Sequence, residues 1–344
     1  MEKRDALINL VKGKDVFMGT HWDADGVTSG ALIYHMIKKH AKSIQTLSKG
    51  DVFVIAKEDV PGNPDIIICT DIHPSTELDP KKIIYIDHHP SEDNDKFLMH
   101  IHDDKEQSCS LLIWKELLQD TEDPYFIFLT LLGYFGDNGK KEDLPLELFM
   151  KAQKLLTTNT KFGEHNLMAK KESRWSDGYY YEVQRFVSAL NTGKRMNWSG
   201  DIPFECLKQI TNFRDFIYNK HPYAKQLQLY RQELRDYYSM KIDVKELENI
   251  HYSIISCDKN VQGVLCARYM KDKPIIVINK LGDKVIASMR VPDDLDFDAG
   301  AYLSEFTTKM KTVVGGGHEK AGGVTFEAHE MDKFIELIEN SSFM

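Results

Sequence analysis

The segment His21-Trp22-Asp23-Ala24-Asp25-Gly26 sets a histidine and two aspartates at alternate positions, directly after the apolar run DVFMGT (15–20). Three clusters of the same chemistry follow. Asp71-Ile72-His73 comes after DIIICT (65–70), Asp87-His88-His89-Pro90 after IIYI (83–86), and Gly136-Asp137-Asn138-Gly139 after TLLGYF (130–135). Carboxylates with neutral imidazoles suit Mn²⁺ and similar borderline divalent ions. Two such ions about 3.5–4 Å apart clamp a phosphate and generate a hydroxide that attacks it. On an extended strand end, His21, Asp23 and Asp25 point to one side and reach the ions together. Asp71 then bridges, while His88 and Asp137 complete the second ion's set. Taken singly, an aspartate after a strand is more often a helix cap than a ligand. The four clusters together, each closing an apolar run, point to a metal centre.

The elements that must position these residues alternate in type. DVFMGT, DVFVIA (51–56), DIIICT and KIIYID (82–87) are expected strands, nearly continuous in Ile, Val and Phe as strands covered on both faces are. Helical patterns cover 26–39, 108–118, 124–134 and 145–156. This α/β alternation predicts a parallel sheet, and sites in such sheets form beyond the carboxyl ends of the strands. Three of the four clusters would thus share one rim. From 157 to 245 the strand runs disappear and the periodicity is mostly helical, with loops around 191–203. Strands return at 251–257, 273–280 and 284–291, with helices at 299–310 and 331–340. The expected division is an α/β domain over 1–156, a helical connector over 157–245, and a smaller α/β domain over 246–344.

VVGGGHEKAGGVTF (313–326) is the most glycine-dense stretch. Where such a loop opens a helix, its N–H groups and the helix dipole favour an anion. Gly315, Gly316 and Gly317 are the candidates, with His318 as a further donor. Arg290 closes an expected strand and Ser288 precedes it on the same face. From the residues alone, Arg290 reads as a solvated strand-end charge.

The chain has 344 residues, room for two domains, with 42% hydrophobic and 28% charged residues. No apolar run reaches the roughly 18 residues of a membrane helix, and the charged N-terminus lacks a secretory core. The expectation is a cytoplasmic protein with no membrane partner. The five cysteines are widely spaced without a CxxC, which argues for reduced thiols rather than disulfides or structural zinc. The formal charge is −9, yet residues 151–241 carry 16 Lys and Arg against 9 Asp and Glu. There, KKESRWSDGYYYEVQRF (170–186) and RQELRDYY (231–238) interleave cations with aromatic rings. That suits single-stranded nucleic acid, and it equally suits amphipathic helices that bury their own rings.

HWDADG, TDIHP, IDHHP and GDNG, in this order and spacing, resemble the four motifs of the DHH phosphoesterase superfamily, named for Asp87-His88-His89. GGGHEKAGG (315–323) resembles the signature of the DHHA1 domain that follows DHH domains in one subfamily. The resemblance implies two Mn²⁺ ions (or Mg²⁺ or Co²⁺) held by His21, Asp23, Asp25, Asp71, His88 and Asp137. It makes Asp87, His88 and His89 the catalytic group, Asp87 as support and His89 beside the phosphate. It gives Arg290 a substrate phosphate, and it sets the active site in a cleft between the two domains. The single residue between His21 and Asp23 is more similar to RecJ-type exonucleases than to nanoRNases, although the chain lacks room for the oligonucleotide-binding domain of bacterial RecJ. The implied activity is manganese-dependent hydrolysis of single-stranded or short oligonucleotides to mononucleotides. Alternatives are a phosphatase or phosphodiesterase for 3′-phosphoadenosine 5′-phosphate or a cyclic dinucleotide, and a pyrophosphatase or polyphosphatase. A silent scaffold for replication or repair proteins is a further rival. A scaffold is expected to have lost ligands, whereas all six positions here hold Asp or His.

Overall fold

Apolar runs that are buried on both faces pair as parallel strands. After helix α1 (Glu2–Val11) come β1 (Asp15–His21), α2 (Ala24–Ile37), β2 (Ser43–Lys49), the short β3 (Val54–Ile55), β4 (Ile66–Thr70), β5 (His73–Pro74), β6 (Ile83–Asp87) and β7 (Met99–His102). Five of these form an all-parallel sheet in the order β2-β1-β4-β6-β7. Every residue of β4 and β6 is buried. The computed structural model describes all residues except 1, 51–52, 91–95, 138, 161–162, 173–178 and 341–344.

DVFVIA does not join this sheet. Residues 51–52 lie outside the described part, and Val54–Ile55 pairs only with β5. The edge place belongs to β2, whose half-exposed SIQTLSK carries no apolar run. The helices α3 (Cys109–Ile113), continued by a π-helical turn over Trp114–Leu118, α4 (Pro124–Gly136) and α5 (Leu146–Leu155) follow.

Two small hairpins come next: β8 (Thr157–Thr160) with β9 (Gly163–Asn166), and β10 (Lys170–Glu172) with β11 (Tyr179–Tyr181). They interrupt what the periodicity marked as helical. The helices α6 (Val187–Leu190), α7 (Thr192–Asn197), α8 (Asp201–Gln209), α9 (Phe213–Ile217) and α10 (Pro222–Tyr238) then follow. The loop expected over 191–203 is therefore largely helix. Its glycines fit close approaches: a Cβ on Gly200 would stand 2.0 Å from Ser48 Oγ. Leu190, Phe204, Phe213 and Leu227 from this segment share one core with Leu32, Ile68, Ile84 and Leu129. One compact unit spans Met1–Gln232 and a second spans Glu233–Met344.

The second unit contains β12 (Lys245–Glu246), β13 (His251–Ile255), α11 (Gln262–Tyr269), β14 (Ile275–Leu281), β15 (Lys284–Arg290), α12 (Ala299–Lys309), β16 (Val314–His318), β17 (Ala321–Glu327) and α13 (Met331–Glu339). Its mixed sheet runs β12-β13-β14-β15-β17-β16. A separate core of Ile276, Ala287, Met289, Leu303, Phe306, Val324 and Phe334 fills one face. The glycine-dense stretch opens no helix. It is the β16–β17 hairpin, and its lack of side chains lets α12 lie close: a Cβ on Gly300 would stand 2.2 Å from the Gly317 carbonyl.

Candidate metal centre

The first sheet reverses direction of growth between β1 and β4, and crevices at such switch points hold ligands. His21 ends β1, Asp71 follows β4, and Asp87 ends β6. HWDADG is not extended as expected, however. Asp23 N-caps α2, its side chain accepting the Gly26 N–H at 3.1 Å, and Asp25 lies in the first helical turn. The turn sends the two aspartates to different places. His21, Asp23 and Asp71 form one candidate donor group; Asp25, His88 and Asp137 form another.

Asp71 stands between them. Its Oδ2 lies 3.6 Å from His21 Nδ1, and its Oδ1 lies 3.5 Å from His88 Nε2. It adopts a left-handed backbone (φ 59°), which costs an aspartate on the order of 1 kcal/mol. His88 Nε2 is also 3.3 Å from Asp137 and 3.9 Å from Asp25. The His88 Nδ1–H donates to the Glu106 carbonyl at 3.1 Å, which turns Nε2 inward as a lone-pair donor. Asp25 is 1% exposed and is held by the N-terminus of α3. The N–H groups of Cys109 (2.6 Å) and Ser110 (3.0 Å) donate to its two oxygens.

The electrostatics are those of a cation site. Burial, then Asp71 and Asp137, push the Asp25 carboxyl well up, against the pull of His88. Burial, then Asp71 and Asp23, likewise raise Asp137 to about 6. Burial opposes charge on the imidazoles, yet the carboxylates raise His21 to about 10, His88 to about 11 and His89 to about 9. Excess buried negative charge gathers protons where no cation balances it. His21 Nε2, Asp71 Oδ1 and His88 Nε2 are buried without a hydrogen bond among the described residues. The donor set therefore fits divalent cations. Asp87 differs. Burial opposes its charge, but the His89 ring at 2.8 Å and the Tyr85 hydroxyl at 2.7 Å hold it ionised.

Several supporting residues escaped the sequence reading. A Cβ on Gly133 would stand 2.2 Å from Ser110 Oγ, 2.4 Å from Thr28 Oγ1 and 2.5 Å from Asp25 Oδ1. A glycine inside TLLGYF, costing a helix about 1 kcal/mol, was the available signal. Asn191 accepts the Ala24 N–H at 3.2 Å, and Lys194 Nζ is 3.8 Å from Asp23. Phe53 lies half-exposed with its ring 5.3 Å from that of His21.

In the second unit, β15 pairs Ser288 with Gly323 and Arg290 with Ala321, and β17 pairs those two with Gly316 and His318. Cross-strand partners share a face. Ser288, Arg290, Gly316 and His318 therefore lie on the face opposite the core, around a floor of Ala321 and Gly323. Gly315 and Gly317 fall in the alternate rows. Gly263 of α11 borders this face, 3.4 Å from Arg290 Nη2 and 3.7 Å from Ser288 Oγ as measured from where its Cβ would stand.

Of the basic aromatic segment, 173–178 lie outside the described residues. Tyr179 is covered by Lys141 and Lys170, at 4.4 and 4.2 Å from its ring, and Tyr181 is buried against Phe135 and Phe149. These two rings are engaged by the protein itself.

The fold is that of solved DHH-domain proteins. Residues 249–341 match the DHHA1 domain. The DHH domain of a member of a ribosomal-protein family is 16% identical (TM-score 0.63; 99% of this chain, 89% of that one). RecJ from Thermus thermophilus, in complex with Mn²⁺, is 15% identical (TM-score 0.64; 98% of this chain), and the match spans only 53% of the RecJ chain. The pGpG-specific phosphodiesterase of Vibrio cholerae is 13% identical (TM-score 0.50; 94% and 97%). No curated protein matches the sequence. The C-terminal residues thus match a DHHA1 domain, and the whole chain shares the fold of solved DHH-domain proteins.

Proposed function

We propose that the protein is a metal-dependent phosphodiesterase that hydrolyses short or single-stranded oligonucleotides to mononucleotides, with two Mn²⁺ ions as cofactor. The observation that carries this reading is Asp71, one buried carboxylate whose two oxygens face two different donor groups. His21, Asp23 and Asp71 would hold one ion; Asp25, Asp71, His88 and Asp137 would hold the other. Such a pair, when bound, supplies Lewis acidity at the phosphoryl group and lowers the pKa of water.

The chain's own residues do the rest. Asp87 accepts from the His89 Nδ1–H and so fixes the ring, and His89, when it also carries a proton on Nε2, could donate to a phosphoryl or leaving oxygen. In the second unit, Arg290 and Ser288 would take a phosphate and His318 a second polar group, with the nucleotide lying on the Gly316, Ala321 and Gly323 floor. Gly315 and Gly317 would contribute through space rather than contact.

The chain spans 97% of the pGpG-specific phosphodiesterase, 92% of one RecJ chain bound to manganese and 53% of the Thermus thermophilus RecJ chain, so both short and longer strands are tested. A small-nucleotide phosphatase is the second reading. The test is hydrolysis, with Mn²⁺, of 5′- and 3′-labelled RNA and DNA ladders from dinucleotides upward, beside 3′-phosphoadenosine 5′-phosphate. Mononucleotide release from the shortest strands is expected. Turnover of 3′-phosphoadenosine 5′-phosphate alone selects the second reading, and no Mn²⁺-dependent turnover of any of them overturns both.

A further inference from the structure

We infer that Tyr85, backed by His73, is a positioning residue for the reaction proposed above: it locks the Asp87 carboxylate so that His89 is held in one orientation. Tyr85 stands two residues before Asp87 on β6 and is 1% exposed. Its hydroxyl lies 2.7 Å from Asp87 Oδ2 and 2.5 Å from His73 Nδ1. A phenol has one proton, and an ionised carboxylate offers only lone pairs. The Tyr85 hydroxyl therefore donates to Asp87, and the His73 Nδ1–H donates to the Tyr85 oxygen.

On its other side, Asp87 Oδ1 accepts from the His89 ring Nδ1–H at 2.8 Å and from the backbone N–H groups of His88 (2.7 Å) and His89 (3.1 Å). The chain His73, Tyr85, Asp87, His89 thus has one consistent set of directions. The His89 proton on Nδ1 leaves Nε2 as the ring's acceptor in its neutral form.

Packing holds the phenol in place. Its ring is stacked on His100 (5.2 Å, 7°) and meets Phe97 edge-on (5.4 Å, 72°). His73, with 38% of its side chain exposed, brings the chain out to solvent.

Tyr85→Phe keeps the ring and removes one hydroxyl. In the full-length protein with Mn²⁺ and a thymidine dinucleotide, kcat is expected to fall about 10-fold or more. KM and the calorimetric Mn²⁺ affinity should stay within about 2-fold. A second readout needs neither metal nor turnover: the low-field proton resonance of the His89 Nδ1–H, assigned by its loss in His89→Asn. It should broaden or move upfield in Tyr85→Phe. Unchanged kcat with an unchanged resonance overturns the inference, as does a fall in Mn²⁺ affinity that matches the fall in rate. If the wild type hydrolyses nothing, the activity reading fails, and the resonance alone decides the positioning. If Tyr85→Phe does not fold, His73→Asn at the half-exposed end gives the same test. A smaller loss of kcat with a shifted resonance supports the chain, and no change in either refutes it.

Discussion

Asparagine tolerates the left-handed backbone of Asp71 as well as aspartate does, so its charge can be removed without new strain. Asp71→Asn is expected to fold, to lose the rise in Tm that Mn²⁺ gives the wild type, and to retain less than about 1% of activity, since both ions lose a ligand. Thermal melts with and without Mn²⁺ decide the first point. A full metal-induced shift in the variant would mean that Asp71 bridges nothing. Arg290→Ala makes a contrasting prediction. A residue that holds a phosphate equally in ground and transition states raises KM and spares kcat. Steady-state kinetics on a dinucleotide should show a KM increase of about 10-fold with kcat within about 2-fold.

Helices deliver the centre as much as strands do. α4 approaches Asp25 so closely that Gly133 has no room for a methyl group. Gly133→Ala should cost about 1–3 kcal/mol in urea denaturation and weaken Mn²⁺ binding, both absent if α4 simply shifts. α2 is tied to α8 by His35, whose Nε2–H donates to the Leu207 carbonyl at 2.9 Å while Nδ1 accepts from Lys38 at 2.9 Å. The Lys38 bond needs the neutral ring, while the Leu207 bond is compatible with either form, and burial above all lowers the pKa to about 4 from an ordinary 6.5. The unfolded chain therefore takes up this proton first. The stability is complete above pH 6.5 and is lost as pH falls from there toward 4. Between about pH 6.5 and 5 the wild type should lose about 1–2 kcal/mol more than His35→Gln, measured by denaturation at both pH values. β4 and β6 were readable because burial on both faces leaves an unbroken apolar run. The edge strands β2 and β7 were not, because SIQTLSK and MHIH are half-exposed and alternate. The candidate donor residues could be picked out by type alone, since Asp and His keep their chemistry in any local conformation. Their supports could not: Gly133 acts through a missing methyl, Asn191 through a fold that brings 191 beside 24, and Cys109 and Ser110 through backbone N–H groups that every sequence has.

At the scale of the whole molecule, each of the two units has its own core and its own candidate residues. The candidate ligands belong to Met1–Gln232, and the floor flanked by Ser288, Arg290 and His318 belongs to Glu233–Met344. Hydrogen exchange separates them. Mn²⁺ alone should slow the amides of Gly26, Cys109 and Ser110, which hold Asp23 and Asp25, and leave 286–290 and 314–323 unchanged. A mononucleotide without metal should do the reverse. Slowing of both regions by Mn²⁺ alone would show that the ions are not confined to the first unit.

The floor itself has a further consequence. Gly316, Ala321 and Gly323 offer no side-chain donor or acceptor, and their backbones are committed to the β15–β17–β16 ladder. A surface of that kind can support a flat ring and has little with which to read its edge. Under the proposed function, adenine and thymine would rest on it on equal terms, while the flanking cation would take hold of what every nucleotide carries. Such a site would be indifferent to the letter it removes, as suits a scavenger of assorted fragments.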